Sequence, residues 1–297
     1  MNKYLTIFGV LCIVEEYGDK LKISINKFNQ RLNGELHALE ESKFEGNGLW
    51  TCRRNTRNAY TLDLLSDGSY NGSSTTVKID KIGDLSKYEE KMWQHQIDSF
   101  RFKITTRRCI DAGEMGVGKT LSTFRAIEYL RQIFGYLGGS WWCSTNSGLA
   151  SLSTQCTKWN FRFGSQMNNN RCFNYHTLER VMQEAAKPPQ IMVFDESSHL
   201  KSPSARRTQL AIELSNLMEK EYGSNCAVFL LSGTPAPQNH FDWWSQSEIA
   251  RPGWLRESSY TKFQRRLAKY EAGERSDGGY YPKFVSWNER EVELLPK

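Results

Sequence analysis

The sequence predicts an α/β protein: a central, mostly parallel sheet with helices on both faces, preceded by a small α+β module. Three observations carry that expectation. Residues 110–120, Ile-Asp-Ala-Gly-Glu-Met-Gly-Val-Gly-Lys-Thr, set Gly113, Gly118, Lys119 and Thr120 at the spacing G-x-x-x-x-G-K-[ST]. They lie between a short strand-like lead-in, Arg108-Cys-Ile110, and a run with apolar residues at Leu121, Phe124, Ile127 and Leu130, a helical period. Residues 190–196 form an apolar strand that ends in Asp195 and Glu196. Around these, strand-like and helix-like segments alternate, as parallel strands joined by crossovers require.

Composition narrows the class. The chain has 297 residues, 39% hydrophobic and 24% charged, enough for a full α/β domain with an accessory module and too apolar for disorder. A net charge of +6 suits a polyanionic partner without requiring one. The seven cysteines stand singly, with no C-x-x-C pair and an odd total. That argues against a zinc site or disulfide framework and for a reducing, intracellular compartment. The apolar run at 4–14 is too short to span a bilayer, and no small-residue cleavage site follows it, so it reads as a buried strand.

Residues 1–84 read as the small module. Residues 5–14 and 21–25 are strand-like with a turn at 15–19, and 26–39 carries Phe28, Leu32, Leu36 and Leu39 on one helical face. Arg53, Arg54 and Arg57 cluster beside Trp50. The cluster reads either as a phosphate-contacting surface, with the aromatic ring stacking on bases, or as a solvated strand edge. The polar, glycine-containing stretch at 68–76 reads as a linker.

Residues 85–297 read as the main domain. A helix at 88–103 carries His95 and Gln96; the amide of Gln96 offers one donor and one acceptor suited to an adenine edge. It precedes Lys119 by 23 residues (119 − 96), room for a helix and a strand. In the glycine loop, backbone N–H groups around Gly113, Met115, Gly116, Val117 and Gly118 wrap phosphates at a helix N-terminus. Asp195, at the carboxyl end of a parallel strand, is placed to hold Mg²⁺ with the Thr120 hydroxyl, and Glu196 to orient and deprotonate the attacking water. Strands at 138–144, 171–176 and 226–231 and helices at 148–159, 177–185 (Thr177 as N-cap) and 205–222 complete the alternation. The loop Ser232-Gly233-Thr234-Pro235 follows the last of these strands. It reads as a sensor of the γ-phosphate, as a link to a nucleic-acid groove, or as an ordinary turn. Helices at 242–250 and 260–274, then a Gly-rich loop and Tyr280-Tyr-Pro-Lys-Phe-Val285, close the chain.

Together these motifs resemble the Swi/Snf-like branch of helicase superfamily two. Glu114-Met-Gly-Val-Gly-Lys-Thr120 is close to the branch's first motif, Asp195-Glu196 to its second, Ser232-Gly-Thr-Pro235 to its third and His95-Gln96 to its adenine-reading glutamine. Asp195-Glu-Ser-Ser-His-Leu-Lys-Ser-Pro203, Thr234-Pro-Ala-Pro-Gln-Asn239 and Asp242-Trp-Trp-Ser-Gln246 look like phage and bacterial members. The branch usually has His where Ser198 stands here, with His199 one place later. The front module is similar in layout to the DNA-binding module that precedes the motor in annealing helicases.

The resemblance implies a RecA-like P-loop lobe that binds ATP and Mg²⁺, is stimulated by double-stranded DNA, and works in the cytoplasm of a bacterial or phage-infected cell. Lys119 and Glu196 are its catalytic residues. It also implies a second RecA-like lobe supplying arginine fingers. Only 58 residues (297 − 239) follow Asn239, against about 100–150 for a lobe. The expectation is therefore a first lobe completed by a second polypeptide or by the missing remainder of a truncated gene. The alternative is an interaction subunit whose DNA binding is switched by the nucleotide, without motor activity.

Overall fold

The apolar runs at 191–194 and 227–231 are fully buried in the middle of a sheet covered on both faces, which is why they show no polar alternation. The computed structural model describes residues 2–37, 39, 41–54, 56–66, 70, 84–164, 168–255, 257, 259–274, 280–289 and 292. Two compact units form: one from Met1–Ser74 and Arg251–Lys297, the other from Thr75–Ala250. The stretch read as a linker, 68–76, lies outside the described residues apart from Tyr70.

The first unit begins with β1 (Asn2–Ile7), β2 (Val10–Tyr17), β3 (Lys20–Ile25), α1 (Gln30–His37), β4 (Lys43–Gly46), β5 (Leu49–Arg53) and α2 (Thr56–Leu65). Its strands form an antiparallel sheet in the order β1-β2-β3-β5-β4. Leu5, Ile7, Val10, Cys12, Val14, Leu21, Ile23, Trp50 and Cys52 alternate onto one face, where Leu32 and Leu36 of α1 and Leu62 and Leu65 of α2 join them. The single strand expected at 5–14 is instead a hairpin. Phe8 (φ 49°) and Gly9 (φ 72°) both take left-handed conformations, the geometry of a tight two-residue turn, hidden within an apolar run. The turn expected at 15–19 is correspondingly shorter, because β2 continues to Tyr17. The helix expected from 26 is also shorter: the Asn29 side-chain Oδ1 accepts the Leu32 N–H, and Phe28 stays outside, exposed.

The second unit runs α3 (Ser86–Glu89), α4 (Gln94–Thr106), β6 (Arg108–Asp111), α5 (Lys119–Ile133), β7 (Ser140–Ser144), α6 (Asn146–Lys158), β8 (Arg171–Asn174), α7 (Leu178–Glu184), β9 (Ile191–Asp195), α8 (Arg206–Tyr222), β10 (Ala227–Leu231) and α9 (Trp243–Ala250). The sheet order is β6-β10-β9-β7-β8, every pair parallel. Successive residues of each strand face opposite cores. Trp142, Ile191, Val193, Phe229 and Leu231 pack with α4, α5 and α6; Trp141, Met192, Phe194, Val228 and Leu230 pack with α7, α8 and α9. The expected α/β domain is thus present as a RecA-like three-layer domain.

Three local expectations change. The helix at 88–103 is broken at Lys91, which is left-handed (φ 64°), into α3 and α4. Thr177 makes no side-chain cap; the Asn174 side chain instead accepts the His176 and Thr177 N–H groups, each at 3.1 Å. The helix at 260–274 stops early. The first unit's second stretch holds α10 (Tyr260–Leu267), then β11 (Ala268–Glu274) paired antiparallel with β12 (Tyr280–Trp287). Cross-strand pairing there gives the 268–274 backbone partners that a polar, glycine-containing helix would hold weakly.

Candidate functional site

Register assembles the site. Leu231, the last residue of β10, pairs with Asp111 of β6 on one side and Asp195 of β9 on the other. Asp111 and Asp195 therefore stand about 10 Å apart across the sheet, two strand spacings. The segments that follow, 112–118, 196–200 and 232–239, leave the same carboxyl edge, where ligands of open parallel sheets bind.

In the glycine loop, Gly116 (φ 83°) and Gly118 (φ 84°) take the left-handed conformation, and Gly118 is the N-cap of α5. A Cβ on Gly118 would stand 2.2 Å from Gln96 Nε2. Gln96 is therefore beside the loop, as its spacing predicted. Its Nε2 donates to Val117 O at 3.0 Å and its Oε1 accepts the Trp93 N–H at 3.1 Å. One N–H and one lone pair of the amide remain for a further partner. His95 Nε2 lies 2.9 Å from the same Val117 carbonyl. Lys119 Nζ donates to Gly113 O (2.7 Å) and Glu114 O (2.9 Å), holding the ammonium against the loop. Met115 is 77% exposed, so the loop faces solvent. Thr120, second in α5, is half-buried.

Asp195 Oδ2 accepts the Ser144 hydroxyl at 2.9 Å and Oδ1 accepts the Glu196 N–H at 3.1 Å. Burial pushes its carboxyl above the usual range, opposed by hydrogen bonds from Ser144 and the Glu196 N–H and by the charge of Lys119. A cation at this carboxylate would favour its ionised form. With the Thr120 hydroxyl the donors are all oxygen, which fits Mg²⁺, an ion that keeps waters and substrate oxygens as its other ligands. Among the described residues, no group of three or more His, Cys, Asp or Glu could make an all-protein cage.

Glu196 itself is left-handed (φ 54°), a strained conformation for a side-chain-bearing residue, and turns the chain sharply into a 3-10 helix, Ser197–Leu200. Buried Ser197 donates to Gln246 Oε1 at 2.8 Å, while Gln246 Nε2 donates to Pro235 O and, at 3.2 Å, to Asp242 O. One buried glutamine thus ties the segment after β9 to the segment after β10. In the latter, the Ser232 N–H bonds to Asp111 O (3.1 Å) and the Thr234 N–H to Ser232 Oγ (3.1 Å). A Cβ on Gly233 would stand 2.6 Å from Met115 Cγ, so this turn abuts the glycine loop.

Lys119, Gln96, Asp195, Glu196 and Ser232–Thr234 thus share one edge. Ser144, Tyr175, Asp111 and Lys103 support them and have no role assigned from sequence; Gln246, which supports them too, reads from sequence only as the end of a family-like motif. The Tyr175 hydroxyl donates to Asp195 O at 2.7 Å. Lys103 carried a usable signal: it falls three residues after Phe100 on the buried stripe of α4, where a lysine needs a partner.

The arginine cluster belongs to the first unit. Arg53 pairs with Glu41 (3.2 Å) and Arg54 with Glu16 (2.7 Å), both side chains about half exposed. The Arg57 side chain lies outside the described residues. Trp50 is 1% exposed and packs between His37 and Phe44, so it is core and does not offer its ring to a base.

A glycine loop between β6 and α5, with an acid pair two strands away, defines a P-loop α/β domain of RecA-like architecture. The SWI2/SNF2 ATPase core of Sulfolobus solfataricus in complex with dsDNA is similar to this chain at a TM-score of 0.48 and 19% identity, over 60% of this chain and 39% of that one. The Sulfolobus solfataricus SWI2/SNF2 ATPase core domain is similar at 0.44 and 22%, over 58% and 37%. The matches span well under half the length of those proteins. No protein-family model and no curated protein sequence matches the chain. Among the described residues, no helix is long and apolar enough to cross a membrane.

Proposed function

We propose that the second unit is the first lobe of a DNA-dependent ATPase of the Swi/Snf-like kind, of phage or bacterial type, working in the cytoplasm. The observation that carries this is the register that aligns Asp111, Leu231 and Asp195 at one sheet edge, with Lys119 and Glu196 on the segments leaving it. In this reading the loop N–H groups and Lys119 bind the phosphates and Gln96 reads adenine. Thr120 and Asp195 hold Mg²⁺, which neutralises phosphate charge when bound, and Glu196 takes the proton of the attacking water.

Ser232, Gly233 and Thr234 couple the nucleotide to DNA through the Gln246 link. Arg53, Arg54 and Arg57 of the accessory module, assigned to 1–84, contact DNA phosphates; that requires Glu41 and Glu16, the partners of Arg53 and Arg54, to give way. The open loop is completed by a second lobe or partner polypeptide, whose arginine contributes on the order of 10³–10⁵ in rate.

Comparing Lys119→Ala with Glu196→Gln tests the reading. The first variant loses ATP binding; the second keeps binding and loses turnover. Equal turnover in Glu196→Gln and the wild type removes the catalytic role of Glu196. Loss of DNA binding in Lys119→Ala alone, with Glu196→Gln unaffected, favours a nucleotide-switched binding subunit.

A further inference from the structure

We propose that Asp111, seated by its buried bonds to Lys103 and Ser99, is a positioning residue for the glycine loop, acting from behind it through the Gly113 N–H. The Lys103 side chain is 0% exposed, and its three ammonium protons have three acceptors: Asp111 Oδ2, Ser99 Oγ at 2.6 Å and Ser122 Oγ at 3.1 Å. The Ser99 hydroxyl donates to the same Asp111 oxygen at 2.8 Å. Burial tends to raise the Asp111 carboxyl, but the Lys103 charge and the hydrogen bonds from Lys103, Ser99 and the Gly113 N–H outweigh it and hold the group below the usual carboxylate range.

Both branches of this network end on the loop. Asp111 Oδ1 accepts the Gly113 N–H at 3.1 Å, while the carbonyl of Gly113 accepts Lys119 Nζ at 2.7 Å. The first glycine is thereby fixed at both of its polar atoms. On the other side, Ser122 Oγ donates to Lys119 O at 3.0 Å, in the first turn of α5. The helix that carries Lys103 and Ser99 also carries Gln96 and His95 on Val117 O. So α4 holds the loop at its start, near its end and at the helix that follows. A buried pair of this kind adds little net stability over apolar residues of similar size, so its use here is to set geometry.

The inference rests on the phosphate-site reading above. Its test compares two doubly neutral variants, Lys103→Met with Asp111→Leu, and Lys103→Met with Asp111→Asn, by calorimetric titration with Mg-ATP. The asparagine keeps an oxygen for the Gly113 N–H and the leucine does not. The leucine variant is expected to bind ATP about tenfold more weakly than the wild type, and the asparagine variant to recover most of that loss. Equal affinities in the two variants, at equal melting temperature, overturn the proposal. Should either variant not fold, hydrogen exchange in the wild type decides: the Gly113 amide exchanges more slowly than that of Gly116, and equal rates overturn the proposal. No ATP binding by the wild type overturns the phosphate-site reading and this proposal with it; binding with equal affinities overturns this proposal alone.

Discussion

Gly118→Ala puts a number on how tightly the loop is packed against α4. The backbone there has φ 84°, so an alanine costs about 1–2 kcal/mol from conformation alone. Its Cβ also lands 2.2 Å from Gln96 Nε2 and drives that side chain out of its bonds to Val117 O and from the Trp93 N–H. Each bond contributes about 0.5–1.5 kcal/mol, which brings the expected total to about 2–5 kcal/mol. In a Gln96→Ala background the clash and both bonds are already gone. There Gly118→Ala costs only its conformational part, about 1–2 kcal/mol, leaving a coupling of about 1–3 kcal/mol. Denaturant midpoints of the wild type, both single variants and the double variant measure it. If Gly118→Ala costs the same in both backgrounds to within about 0.5 kcal/mol, Gln96 is not packed on the loop as described.

Gln246→Leu removes the acceptor of Ser197 and the donor to Pro235 O, both buried, and is expected to destabilise by about 2–6 kcal/mol. Thermal melting checks it; an unchanged melting temperature would mean the two segments are not joined there. Asp111 gives a pH signature. Its folded-state value is depressed, so its contribution is in place above about pH 4, its unfolded value, and is lost as pH falls through the folded value. Between pH 6 and 3 the wild type therefore loses stability relative to Lys103→Met with Asp111→Leu, measured by denaturant midpoints; parallel profiles would contradict the ion pair.

What the sequence reveals depends on how local the cause is. The glycine loop is readable because phosphate binding demands fixed residue types at fixed spacing, and the strands ending at Asp195 and Leu231 because burial on both faces leaves uninterrupted apolar runs. The Phe8-Gly9 turn is hidden because its first residue is apolar, and β11 because its stability comes from pairing with β12, not from its own pattern. The support around the site is long-range. Gln246 meets Ser197 across 49 positions and Ser144 meets Asp195 across 51, and neither partner bears a mark of it in its neighbours. Trp50 shows the reverse error: an aromatic among arginines looks like a base platform until its alternation with Cys52 places it in the core.

The most direct test is ATP turnover by the purified chain, with and without double-stranded DNA, alongside Glu196→Gln. Slow turnover is expected, raised only modestly by DNA until a completing lobe or partner is added, with none above background in the variant. Turnover that survives in Glu196→Gln, or no ATP binding at all by the wild type, would contradict that expectation.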